Sequence, residues 1–244
     1  MAKTRKNCLD QIRSYLDETT TADWTDSEIN KVINTYYHIV RTAVITTFED
    51  YYITTSTFDT VADKQEYTST EGIPTDVFKI RRVELNFDVS NTNSNPVRMN
   101  PIFNMDAVRR DLGQANSLNS VRSGYGGNYY TYGFESTLTI GFIPIPDKDG
   151  TDAVKIWYVP VASDLSADAS TLSLPYVDKN WLLVCYGSVA ELLRFGAQES
   201  EEADKFERKL ALGMEKMQEE LEDREASNSK SILDVQGLED LSAI

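Results

Sequence analysis

The apolar spacing of this chain changes period twice, and that constrains its fold more than any other feature. Between Trp24 and Val44, the residues Ile29, Val32, Ile33, Tyr36, Tyr37, Val40 and Val44 recur every three or four positions, the spacing of one helix face. From "YYITTSTF" (51–58) to "AVKIWYV" (153–159) the period is two, and β-branched and aromatic residues dominate. From Tyr176 onward the helical spacing returns. A chain that reads helix, strand, helix in blocks is α+β rather than a βαβ repeat.

The helical blocks carry their own punctuation. A first helix is expected over Thr4–Asp17, with Cys8, Ile12, Tyr15 and Leu16 inward. A second starts at Thr25-Asp26-Ser27-Glu28, where Thr25 can accept from the Glu28 amide while Glu28 reaches back, forming a capping box. Tyr176–Phe195 is apolar on most sides, as a central buried helix should be, and Gly196 ends it. Ser200–Arg224 carries one narrow stripe, Phe206, Leu210, Met214, Met217 and Leu221. Residues 225–244 read as an extended arm, with Ile232, Leu233, Val235, Leu238 and Leu241 on a polar background.

In the middle block, "YYITTSTFDTV" and "KQEYTST" read as strands around the turn "ADK". "VFKIRRVELNF" alternates at Val83, Leu85 and Phe87, and "NPVRMNP" is a short strand. Asn104 is placed to cap a short helix through Arg110, ended by Gly113. "STLTIGF" and "AVKIWYV" are strands, and "IPIPDKDGTD" between them reads as a hairpin turn. The polar, Gly- and Tyr-rich stretch 113–133 reads as a long loop or an extended hairpin arm. A two-helix hairpin alone buries too little, so both helical ends are expected to form one bundle. The expected organisation is a bundle from 1–48 and 175–224, an antiparallel β module at 49–174 inserted into it, and the arm 225–244.

No residue pattern announces catalysis. His38, the only histidine, falls off the helical stripe and has no assignable nucleophile or orienting carboxylate. Cys8 and Cys185 fit two free buried thiols, too few for a thiolate metal site. "DKDGTD" puts Gly150 fourth rather than sixth, so it fails as a calcium loop. "SGYGGNYYTYG" lacks the G-x-G-x-x-G order and the helix that would hold a phosphate. No catalytic, cofactor or metal site is expected. The Arg81-Arg82 and Arg109-Arg110 pairs read as charges bounding a strand and closing a short helix.

Charge narrows the partners. With 39 acids against 24 Lys and Arg, the net charge of −15 opposes wrapping nucleic acid or binding an anionic membrane surface. No run reaches the roughly 20 apolar residues of a membrane span, and the N-terminus has no apolar signal core, so a cytosolic origin is expected. Arg122, Tyr125, Tyr129, Tyr130 and Tyr132 are of the residue types that interfaces enrich. They fit either a contact surface for another protein chain or tyrosines folded back on their own sheet.

Four segments together carry a resemblance: "DETTTADWTDSEINKVINTYYHIV", "DKQEYTSTEGIPTDVFKIRRVEL", "LTIGFIPIPDKDGTDAVKIWYVPVASDLS" and "LPYVDKNWLLVCYGSVAELLRFGAQESEEADKFERKL". In this order they resemble the head-to-tail adaptor proteins of tailed bacteriophages and related viruses. The more specific matches are Trp24-Thr25-Asp26, "EGIPTDVFKIRRVE", and the Pro144-x-Pro146-Asp147 turn followed by the Leu174-Pro175 helix start. The resemblance implies a non-enzymatic structural virion protein, made in the host cytoplasm. It also implies a ring, typically dodecameric, under the portal at the head-tail junction. Such a ring extends the channel for double-stranded DNA, without sequence-specific binding, and carries a tail or nozzle. A neck or tail-completion protein further from the capsid is the alternative, and a binding module of unknown ligand the third reading. The 113–133 loop and the 225–244 arm depart from shorter members. On this resemblance, the arm is expected to be disordered in the free subunit and to order on the portal through its five apolar residues. A ring of such acidic copies cannot be held by net electrostatics, so its contacts must be apolar and hydrogen-bonded.

Overall fold

The computed structural model describes residues 2–18, 23–86, 96–102, 127–133, 135–196 and 200–239. The chain divides into two units, 1–51 with 162–244, and 52–161.

The first unit is helical. Helix α1 (Arg5–Tyr15) is capped by Thr4, and α2 (Asp26–Thr47) by Thr25. The expected box at α2 is present: the Thr25 amide donates to Glu28 Oε2 at 2.9 Å, and the Glu28 amide to Thr25 Oγ1 at 3.3 Å. Two orphan amides are thereby satisfied before the apolar face begins. That face buries Ile29, Ile33, Tyr37, Val40 and Val44, as the spacing requires, whereas Val32 and Tyr36 are only half-buried. On α1 the buried residues are Cys8, Leu9 and Ile12. Helix α3 (Val177–Gly196) is the bundle's central element, with Leu183, Val184, Cys185, Val189, Ala190 and Leu192 buried. Burying each of its larger aliphatic side chains contributes roughly 1.5–3 kcal/mol. Gly187 lets α2 approach: a Cβ there would lie 2.0 Å from the Tyr36 ring.

Helix α4 (Ser200–Glu239) runs antiparallel to α3, with Arg194 bonded to Glu207 at 2.7 Å and to Asp204 at 3.1 Å, and Lys179 to Glu220 at 3.4 Å. These pairs fix the register. They place the start of α3 beside the Glu220 turn of α4. Because α4 continues as helix to Glu239, residues 225–239 are a helical overhang rather than the extended arm the sequence suggests. The segment 162–174, which the sequence reading assigns to the strands, is tied to the helices. Arg5 Nη1 donates to the Leu165 carbonyl at 2.9 Å, and the Leu165 amide donates to Asn34 Oδ1 at 2.9 Å.

The second unit holds eight strands among the described residues. They are β1 (Thr54–Thr60), β2 (Glu66–Tyr67), β3 (Val77–Leu85), β4 (Val97–Arg98), β5 (Asn100–Ile102), β6 (Asn128–Tyr132), β7 (Thr139–Ile143) and β8 (Gly150–Pro160). They form two sheets, ordered β1-β8-β3-β4 and β2-β7-β6-β5. Every pairing is antiparallel except β5 with β6. One core joins the inner faces: Phe58, Val83, Val154 and Ile156 from the first sheet meet Tyr67, Tyr129, Ile140 and Phe142 from the second.

This pairing corrects the expected hairpin at "IPIPDKDGTD". Strands β7 and β8 belong to different sheets, so the segment between them crosses from one layer to the other. Proline removes an amide that a two-residue hairpin would use, which suits a crossover. Likewise "ADK" joins β1 to β2 across layers. There the Tyr67 hydroxyl accepts from the Val61 amide at 3.1 Å and donates to the Lys64 carbonyl at 3.0 Å.

Beside that turn, Glu71 is held at a pKa of about 2, against an ordinary 4.5, chiefly by the bond from Lys64 Nζ at 2.7 Å and also by the Thr68 amide. A carboxyl depressed on folding stabilises above its unfolded pKa, and that contribution is lost as pH falls from 4.5 towards 2. Urea midpoints of the wild type and Glu71→Gln should therefore converge across that window. A gap that stays constant with pH would contradict the assignment.

Candidate functional site

Among the described residues, no group of three or more His, Cys, Asp or Glu side chains is placed to hold a metal ion. Nor is any described helix long and apolar enough to cross a membrane. His38 does have a carboxylate partner, contrary to the sequence expectation: Nε2 lies 2.7 Å from Asp164 Oδ1. The aspartate comes from a segment 126 positions away, which no local spacing reveals. The Asp164 side chain is 71% exposed, so this is a surface pair worth about 1 kcal/mol at most. Cys8 and Cys185 are free and buried. A hydrogen bond between the two thiols, and burial, push the Cys185 thiol upward, away from the reactive thiolate.

A groove in the β unit has a volume of about 290 Å³ and is lined by Phe78, Ile80, Pro101, Ile102, Tyr129 and Leu138, among others. It lies at the small end of ligand pockets. Among the described residues, its lining contains no acid and no histidine.

The tyrosine-rich stretch, read as a long loop or an extended hairpin arm, ends in a strand. Asn128–Tyr132 is strand β6, paired on both sides. Tyr129 faces the inter-sheet core, and Tyr130 packs with Ile143 and Ile102 instead. Both rings are buried, so the contact-loop reading does not apply to these two within the subunit. Tyr130 and Tyr132 donate to the two oxygens of Glu66 at 2.8 and 2.9 Å, with rings stacked 6.4 Å apart. Burial, and then the Glu66 bond, push the Tyr130 phenol upward; for Tyr132 the Glu66 bond leads. Gly141 makes room beneath, since a Cβ there would lie 2.2 Å from the Tyr130 ring. This carboxylate clasp fastens β6 to β2. Only Tyr132 keeps substantial exposure, 43%. Arg122 and Tyr125 lie outside the described residues, as do Phe87, the expected cap at Asn104 and Leu241. Ile232, Leu233, Val235 and Leu238 fall in the overhang of α4.

What stands out instead is apolar surface. Phe195 is 79% exposed, Phe78 61% and Leu212 60%. Large exposed side chains of this kind mark contact surfaces when they gather into patches.

The sequence motif "DETTTADWTD" also finds its physical reason. Arg13 Nη1 lies 3.2 Å from Glu18 Oε2, with both side chains nearly buried. Glu18 Oε1 accepts from the Asp23 and Trp24 amides at 2.8 and 3.0 Å. Arg13 Nη2 reaches the Trp24 carbonyl at 3.1 Å and Asp26 Oδ1 at 2.5 Å. One ion pair thus ties the end of α1 to the start of α2.

No curated protein matches this chain. The model of the SU10 adaptor protein family matches residues 4–232. That span runs from the cap of α1 through the whole β unit and into the overhang of α4, and the chain belongs to this SU10 adaptor protein family of phage adaptor-type structural proteins.

Proposed function

We propose that this protein closes into a dodecameric ring beneath the portal of a tailed phage, extends the DNA channel, and offers the platform on which a tail or nozzle is built. The observation that carries this reading is the family match, which covers both units. The ring belongs to the virion at the head-tail junction and forms in the host cytoplasm. Its partners are other copies of itself, the portal, and a tail or nozzle protein. Double-stranded DNA passes through without sequence-specific binding. The net charge of −15 suits a wall that repels a sliding polyanion rather than gripping it. Residues 225–244 form the portal-docking element. The segment around Arg122, Tyr125 and Tyr132 supplies contacts to a neighbour, tail or nozzle.

Imaging the full chain mixed with its portal tests this. Twelve copies around the portal axis are expected. A chain that joins only when a second connector protein is already in place belongs further down the neck, and a chain that stays monomeric with the portal overturns the ring.

A further inference from the structure

We propose that neighbouring copies are joined by two different surfaces of the same chain: the outer face of the β1-β8-β3-β4 sheet on one copy, and the outward stripe of α4 on the next. This rests on the ring reading and names the contact within it.

The sheet face is set by register. Cross-strand pairing places Thr55, Trp157 and Arg82 in one row, and Thr57, Lys155, Glu84 and Arg98 in the next. Their strand neighbours Val83, Leu85, Val154 and Ile156 point into the core, so these rows face the other way. Trp157 is flanked by two cations, with the Arg82 guanidinium 4.8 Å and Lys155 Nζ 4.7 Å from its ring. The one acid in the two rows, Glu84, is already held by Arg82. Asp59 and Asp152 lie at the turn end of the sheet, where the Asp152 amide and the Thr57 hydroxyl engage them. The centre is therefore an aromatic ring flanked by two cations, with Arg98 two strands from Lys155 on one side and the Asp152 carboxylate bonded to Thr57 on the other.

Helix α4 carries the complement. Phe206, Met217 and Leu221 are packed inside the bundle. At 100° per residue, Leu212, Glu215, Glu219 and Glu222 fall on the opposite side. All four are exposed, Leu212 by 60%. The stripe is three acids with Leu212 at its N-terminal end and the exposed Arg208 one turn before it. Dimensions agree as well. Glu215 to Glu222 spans about 10 Å of helix, and two strand spacings from Lys155 to Arg98 also span about 10 Å.

Each copy presents both surfaces, so the contact is head-to-tail, the kind that closes a ring rather than a two-fold dimer. It also answers the charge problem. A strongly acidic subunit gains local opposite-sign contacts around an apolar centre, while its remaining acids stay in water.

The test uses the full chain in two reversed forms, Arg98→Glu/Lys155→Glu and Glu215→Lys/Glu219→Lys, with assembly read by light scattering and native mass spectrometry. Each form alone should lose at least about tenfold in assembly constant. An equimolar mixture should recover, because reversed sheets then meet reversed helices in alternation. Circular dichroism checks folding, and Arg98→Gln/Lys155→Gln replaces the first form if reversal unfolds it. Rings that survive either reversal overturn this contact and leave the ring reading standing. A wild-type chain monomeric both alone and with the portal overturns both. Unchanged ring mass with weaker retention on immobilised duplex DNA assigns the sheet face to phosphate instead, and also overturns the contact.

Discussion

Deleting residues 228–244 abolishes attachment to the portal and leaves the folded subunit intact; this is the largest effect we expect from any change to the chain. Among the described side chains of α4 the last buried are Met217 and Leu221, and Arg224 still stacks 6.0 Å from the Tyr51 ring. Truncation after residue 227 spares all three. The part removed follows the last turn that α3 accompanies, and it holds Ile232, Leu233, Val235, Leu238 and Leu241. Five apolar side chains buried in a partner are worth roughly 1.5–3 kcal/mol each. Ordering a residue costs roughly 1–2 kcal/mol. For a single extended arm the two nearly cancel. A helical overhang starts with much of its backbone already ordered, and a ring of identical overhangs adds effective concentration. Cosedimentation with portals reads the attachment, and a thermal melt reads the fold. A truncated subunit that joins portals normally refutes the docking role.

The second large effect falls on stability. Glu18→Ala should destabilise the helical unit by about 2–3 kcal/mol, because it takes from the Arg13 guanidinium the more buried of its two carboxylates and leaves two backbone amides without their acceptor. Arg13→Ala should cost a similar amount, and the double variant clearly less than the sum, since the two side chains answer one another. Urea denaturation of the four proteins closes the cycle. Additive losses would mean that the pair is not the tie between α1 and α2.

The helical unit is largely legible in the sequence, because its signals are local. The Thr25–Glu28 box, the α2 stripe and the stop at Gly196 each lie within a few turns of chain. Strand partners are not local, and there the reading falters. Nothing in "ADK" or "IPIPDKDGTD" says that the flanking strands enter different sheets. Strand β6 is hidden for a different reason. Tyr129 and Tyr130 are buried on opposite faces, so the alternation that betrays a half-exposed strand is missing. The β-favouring run "NYYTY" was the available signal, masked by the glycines around it. The helical course of 225–239 is concealed by Ser, Asn and Gly in a weakly helical composition. The His38–Asp164 and Arg13–Glu18 contacts depend on where loops return, which periodicity does not encode. The resemblance to head-to-tail adaptors was readable because it rests on the order of several short motifs rather than on any single one.

The first and last strands of the β unit lie side by side. Thr54 is paired with Tyr158 in β1 and β8, so the incoming and outgoing chain are separated by about 5 Å. To the helices, the whole of 52–161 is therefore no more demanding than a short loop. A module plugged in through two adjacent ends can be exchanged, enlarged or trimmed without re-engineering its host.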